Sequence, residues 1–169
     1  MSGSHEGQVV VVTGAGKGIG QAIAERFAGA GARVTVNDID PERVDAVVAA
    51  ITDSGGTAIG AVADVSDSGQ VAAMFDATLE AFGTVDVLVN NAGIVSPMLH
   101  FFEADEAWWR RIIDVNLTGV FLMSKAAYPE MVKRGGGKVV NIGSMMSIFA
   151  HETLAPYAAS KGGVVQFTK

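Results

Sequence analysis

Four consecutive valines, Val9 to Val12, run straight into Thr13-Gly14-Ala15-Gly16-Lys17-Gly18-Ile19-Gly20. This junction restricts the possible folds more than any other stretch. A continuously apolar, β-branched run without polar alternation predicts a strand covered on both faces, Val9–Thr13. The glycines permit a tight turn into a helix expected from about Gly18 to Ala30. Ala22, Ile23 and Phe27 would face inward, with Gly31 at the helix end.

The same alternation recurs down the chain. Arg33–Asn37 predicts a second strand, and Asp40-Pro41 an N-cap and first-turn proline for a helix to about Thr52. Thr57–Val62 reads as strand three, Ser66 as the cap of a helix reaching Phe82, and Val85–Asn90 as strand four. After a loop rich in Gly, Ser and Pro, Asp105 is expected to cap one long helix towards Arg134, kinked at Pro129. Gly135-Gly136-Gly137 ends it, Lys138–Ile142 is strand five, and a last helix begins near Pro156. Strands separated by whole helices imply right-handed crossovers and a parallel sheet. The expected fold is α/β: a doubly wound parallel sheet in three α/β/α layers. Residues 1–7 read as a disordered tail and 8–169 as a single domain.

Bulk properties exclude several functions. With 49% hydrophobic and 18% charged residues, the chain is globular rather than disordered. No cysteine is present, which rules out disulfides and thiol chemistry. A net charge of −6 argues against nucleic acid as a partner. No apolar run can span a membrane, and the polar start leaves no room for a signal peptide. A cytoplasmic protein is therefore expected. Histidines and carboxylates lack metal-ligand spacing, so no catalytic metal is expected.

Residues 13–20 lie where a phosphate-binding loop would lie. Glycines let backbone N–H groups approach a phosphate, and the helix N-terminus offers positive dipole. Asp38, about twenty residues on, suits an adenosine ribose and would repel a 2′-phosphate, favouring NAD. Lys17 points the other way, which leaves NADP open. Tyr157 and Lys161, four apart, stack on one helix face. An ammonium beside a phenol favours the phenolate, so Tyr157 can serve as a general acid or base.

Thr13 to Gly20, Asp64-Val65, Asn90-Asn91-Ala92-Gly93, Asn116, Ser144 and Tyr157-xxx-Lys161 together resemble the classical short-chain dehydrogenase/reductase family. The resemblance runs from Gln8 to Lys169 and implies a Rossmann fold. It also implies roles. Gly14, Gly16, Lys17, Gly18, Ile19, Gly20 and Asp38 would hold the cofactor, with Asp64 and Val65 bordering the adenine. Asn90, Ala92 and Gly93 would line the cofactor and steady the sheet. Asn116 would hold a water in a proton relay, and Ser144 would bond the substrate oxygen. Tyr157 would move the proton, while Lys161 would support Tyr157 and bind the nicotinamide ribose.

Simpler readings stay open for several of these residues. Asn116 could be a buried amide patching backbone, Ser144 a strand-end turn residue, and Asp64 and Asn90 ordinary cap residues. The substrate loops hold Ser96, Met98, His100, Met145, His151, Thr153 and Leu154. Ser144, Met145 and His151 are the substrate-binding candidates, although His100 and His151 read as loop surface rather than catalysts. Trp109 is expected in the core and Trp108 at the surface or a subunit contact.

The implied activity is NAD(P)-dependent hydride transfer between nicotinamide and a ketone or secondary alcohol, of 3-oxoacyl thioester, sugar or polyol type. A homo-oligomer, dimer or tetramer, would form through the long helix and the catalytic helix. Family members normally continue well beyond the catalytic helix. The resemblance thus implies a C-terminally truncated member with an exposed sheet edge and slow or absent turnover. A dinucleotide-binding module without turnover is the alternative.

Overall fold

In a computed structural model of the chain, residues 3–95 and 98–169 are described. Strands β1 (Val9–Val12), β2 (Arg33–Asp38), β3 (Thr57–Val62), β4 (Val87–Asn90) and β5 (Lys138–Asn141) alternate with helices α1 (Gly18–Gly29), α2 (Pro41–Asp53), α3 (Ser68–Phe82), α4 (Glu106–Ile113), α5 (Gly119–Lys133) and α6 (Ala155–Thr168). The strands form one parallel sheet in the order β3-β2-β1-β4-β5. This is the doubly wound arrangement expected from the alternation of apolar runs and helices.

Alternate residues of each strand serve opposite faces. Val11 and Leu88 pack with Met74 and Phe75 of α3 and with Met123 and Ala127 of α5. Val10, Val12, Val34 and Val36 face the other way, onto Ala24 and Ala28 of α1 and Val47 and Ile51 of α2. All four β1 valines are 0% exposed, so the continuous apolar run is required by coverage on both sides. Each such side chain contributes roughly 1.5–3 kcal/mol of burial.

The chain winds from β1 through β2 to β3, then returns to β4 on the other side of β1. Between the carboxyl ends of β1 and β4 the winding reverses, which opens a crevice where such folds bind ligands.

Several boundaries differ from expectation for local reasons. Asp67, not Ser66, caps α3, because its carboxylate accepts from the Gly69 and Gln70 N–H groups. β4 joins the ladder only at Val87, since the Asp86 carboxylate takes the Val9 N–H (2.9 Å) ahead of it. The long helix is two helices, α4 and α5, joined by a π-helical segment, Asp114–Thr118. Pro129 lies inside α5, so the irregularity falls upstream of the proline.

Within the expected tail, Met1 and Ser2 lie outside the described residues, as does Ser96 in the substrate loop. Residues 3–7 form turns rather than a disordered tail. Their His5 and Gly7 N–H groups satisfy the Ala30 and Gly31 carbonyls at the end of α1 (3.1 and 3.0 Å). Trp109 is as exposed as Trp108, at 43%, because on α4 only Ile112 is buried.

Candidate active site

The loop after β1 is shaped by glycine. Gly14 and Gly18 both have φ of +59°, in the left-handed region. A Cβ on Gly20 would collide with the Gly14 carbonyl and the Asn91 side-chain amide, so the first turn of α1 lies directly on the loop. Asn91 then ties the loop to β4. Its Nδ2 donates to the carbonyls of Thr13 (2.8 Å) and Gly14 (3.0 Å), and its backbone N–H to Thr13 Oγ1 (3.0 Å).

These elements wall a cavity of about 520 Å³ in the crevice. It is lined by Gly14, Lys17, Gly18, Ile19 and Gly20 of the loop and helix start, and by Asp38 at the end of β2. Asp64 and Val65 line it after β3, and Ala92 and Gly93 after β4. Gly16 is buried behind this wall, with its N–H donated to Asp38 Oδ2 (3.1 Å). Asp38 Oδ1 accepts from the Asp40 N–H (3.2 Å), which fixes the carboxylate at the cavity end.

Asp64 sits in a hydrogen-bonded triangle. Its Oδ1 accepts from the Ser66 hydroxyl (2.6 Å) and its Oδ2 from Arg111 Nη2 (2.9 Å), while Arg111 Nη1 donates to Ser66 Oγ (3.0 Å). Burial alone would raise its titration. The Ser66 hydroxyl and N–H and the Arg111 guanidinium outweigh that and hold the carboxyl below the usual range.

Asn90 is buried but does not line the cavity. Its Nδ2 donates to Asn141 Oδ1 (2.8 Å) and Ser124 Oγ (3.3 Å), joining β4 to β5 and α5.

Beyond Gly93 lies a second cluster. Asn116, in the π-helical segment, is 0% exposed. Its Oδ1 accepts from the Ile94 N–H (2.8 Å), and its Nδ2 donates to the Ile94 carbonyl (2.9 Å) and to Ser160 Oγ (3.1 Å). Ser160 donates in turn to the Tyr157 carbonyl (2.7 Å). Asn116 therefore clamps the cavity-lining loop to α6. Each side-chain polar atom of Asn116 has a protein partner.

Lys161 is buried and donates to the Ile142 carbonyl (2.7 Å) at the end of β5. Its Nζ stands 5.9 Å from the centre of the Tyr157 ring. It also lies 3.7 Å from where a Gly93 Cβ would sit, so the ammonium borders the inner end of the cavity wall. Removal from water lowers the Lys161 pKa.

The substrate candidates are less gathered. Ser144 Oγ accepts from the Met146 N–H (3.2 Å), capping the 3-10 turn Met145–Ser147. Met145 is exposed, and His151 is exposed with Nδ1 on Thr153 Oγ1 (3.0 Å). None of Ser144, Met145 and His151 lines the cavity. The roles of Asn91, Ile94, Arg111 and Ser160 were not visible in the sequence. Asn91 stood within a quoted motif, but nothing signalled that its amide would bind the loop. Arg111 carried no signal, because its partners lie more than forty residues away.

The family model described as short chain dehydrogenase matches residues 8–169, and the chain belongs to that family. It is 43% identical over 163 residues to the 3-oxoacyl-[acyl-carrier-protein] reductase of Synechocystis sp., across 96% of this chain and 66% of that protein. It is 41% identical over 162 residues to the cis-4-hydroxycyclohexanecarboxylate dehydrogenase of Sinomonas cyclohexanicum, across 96% and 65%. A solved structure from Agrobacterium tumefaciens, described as a candidate gluconate dehydrogenase, superposes with a TM-score of 0.91 at 41% identity, across 96% and 64%. The chain thus spans about two thirds, or slightly less, of the length of these relatives. Among the described residues no helix is long and apolar enough to cross a membrane. No group of three or more His, Asp or Glu side chains among them could hold a metal ion.

Proposed function

We propose that this chain binds a nicotinamide dinucleotide in the β1–β4 crevice and exchanges a hydride with a ketone or secondary alcohol. One observation carries the reading. The glycine-walled cavity runs along the crevice to Gly93 and Ile94, and there it meets Asn116, Lys161 and the Tyr157 helix. A dinucleotide is long enough to need both ends of that path.

The residues fit such a group. The left-handed Gly14 and Gly18 and the Cβ-free face of Gly20 let backbone N–H groups reach a diphosphate at the start of α1. The Asp38 carboxylate suits the two hydroxyls of an adenosine ribose and disfavours a 2′-phosphate, which supports NAD over NADP. Lys161 donates to a ribose hydroxyl as well as to Ile142, since an ammonium has three donors. When bound, the nicotinamide supplies the hydride exchange itself.

A proton must move with the hydride. Tyr157 gives or takes it at the substrate oxygen, with positive charge from Lys161 beside it. Ser144 Oγ, whose proton is not committed by its contact with the Met146 N–H, donates to the same oxygen as charge develops there. Asn116 holds Ile94 and Ser160, and so the distance between cavity wall and α6. The substrate alternatives remain a 3-oxoacyl thioester and a sugar or polyol.

A second reading has its own support. The Ser144, Met145 and His151 side chains lie outside the lining of the crevice cavity, which favours a chain that holds NAD without turnover. One experiment decides between them. NADH and NADPH are titrated by fluorescence, and nicotinamide absorbance is followed with a panel of ketones and alcohols. Turnover that falls by about 10²- to 10⁴-fold in Tyr157→Phe, with NADH binding retained, supports the enzyme. Binding with no turnover supports the binding module, and the absence of NADH binding rejects both.

A further inference from the structure

The Asp64–Ser66–Arg111 triangle has no evident purpose as a stabilising ion pair. Arg111 and Asp64 side chains are 44% and 25% exposed, and pairs that wet contribute little to folding. The triangle is nonetheless fully ordered by chemistry. Both terminal nitrogens of the guanidinium are committed, Nη2 to Asp64 and Nη1 to Ser66, and the Ser66 hydroxyl donates a hydrogen bond to Asp64. Ser66 N–H closes an additional bond to Asp64 Oδ1 (2.9 Å), and Gln70 Oε1 accepts from the Asp64 N–H (2.9 Å). A planar cation is held by two bonds in one orientation.

Its position gives this orientation a use. Arg111, Asp64 and Val65 all line the β1–β4 cavity, and Arg111 reaches it from α4, whereas Asp64 and Val65 follow β3. The same cavity carries apolar lining from Val65, Ala63 and Val115. A flat cation beside an apolar wall is suited to the face of an electron-rich aromatic ring. We infer that Arg111, oriented by Asp64 and Ser66, binds the purine ring of the dinucleotide by stacking its guanidinium on it. The inference rests on the dinucleotide reading above and extends it to a residue outside the glycine loop. Asp64 is thereby given two functions, as an acceptor at the cavity and as the group that holds Arg111 in plane.

α4 also carries the means to test this. Trp108 and Trp109 are the only two tryptophans of the chain and stand two or three positions from Arg111. Their emission overlaps the absorption of the reduced nicotinamide, so energy transfer reports binding of either ligand. The experiment compares NADH with reduced nicotinamide mononucleotide, which lacks the adenosine half, against wild type, Arg111→Gln and Arg111→Lys. Thermal melts of all three confirm folding. The expected result is a Kd for NADH raised by about five- to twentyfold in Arg111→Gln, the range of a partly desolvated cation–π contact. The mononucleotide Kd should be unchanged. Arg111→Lys keeps the charge without the planar fork and should remain at least threefold weaker than wild type. Equal losses for both ligands would mean a purely structural role and overturn the inference, as would no loss for either. A wild-type chain that binds no NADH overturns the dinucleotide reading and this inference together.

Discussion

Lys161 is a charged side chain placed where water is scarce. Its Nζ has the Ile142 carbonyl at 2.7 Å and the Tyr157 ring nearby, and burial lowers its pKa. The unfolded chain titrates this group near ~10.4. Between the depressed folded value and that one, the unfolded chain holds more protons than the folded chain. Stability therefore rises with pH across that interval, and the penalty is fully present below it. Lys161→Met removes the titration. Urea midpoints measured from pH 7 to 10.5 should climb for wild type relative to Lys161→Met. Parallel midpoints would show that the ammonium carries no burial penalty. Asp64 behaves in the opposite sense: its carboxyl is held down, so its contribution is lost only as pH falls through the acid range.

At the scale of elements, the π-helical segment Asp114–Thr118 is the piece that joins the cavity wall to α6. A π-helical turn widens the helix by one residue, and such turns concentrate at functional sites. Here it accompanies an Asn116 amide aimed at both backbone groups of Ile94 and at Ser160. Asn116→Ala strands the N–H and carbonyl of Ile94, each at about 1–3 kcal/mol if left unpaired. We expect a fall in Tm of about 4–24 °C, given roughly 2–4 °C per kcal/mol for a chain this size. Amide exchange at Ile94 should accelerate while exchange in β1 does not. Unchanged exchange at Ile94 would mean that water replaces the asparagine.

This segment also marks the limit of what the sequence reveals. The β1 and β2 valines and the Asp40-Pro41 start of α2 were legible because burial on both faces and capping leave signatures in neighbouring residues. The turn after β1 was legible in its glycines, since Gly14 and Gly18 take positive φ. The division of α4 from α5 was not, because one extra residue in a turn leaves the apolar pattern almost unaltered. Trp109 misled because size and hydrophobicity do not specify which side of a helix finds a partner. The Arg111 triangle and the Asn91 ties to Thr13 and Gly14 depend on residues brought together only by folding.

At the scale of the molecule, β5 is the outermost strand on its side of the sheet, paired only with β4 among the described residues. Val139 and Val140 point to opposite faces, yet they are 41% and 44% exposed, so neither face is well covered. An unpaired edge with apolar side chains invites pairing with a second copy. A competing surface lies on α4 and α5, where Trp108, Trp109, Phe121 and Tyr128 are also exposed. The two routes respond differently to substitution. Lysines at Val139 and Val140 place charge on the edge strand and should alter stability by only about 0.5 kcal/mol each, because both sites are already partly solvated. Tyr128→Glu places charge on the α5 surface instead. Sedimentation velocity over rising concentration is expected to show self-association of the wild-type chain. We expect Val139→Lys with Val140→Lys to shift the monomer–dimer midpoint to at least about tenfold higher concentration, equal to about 1.4 kcal/mol, and Tyr128→Glu to shift it less. The reverse ranking would assign association to the helical face, and monomeric wild type at every concentration would remove the edge as an attractive surface.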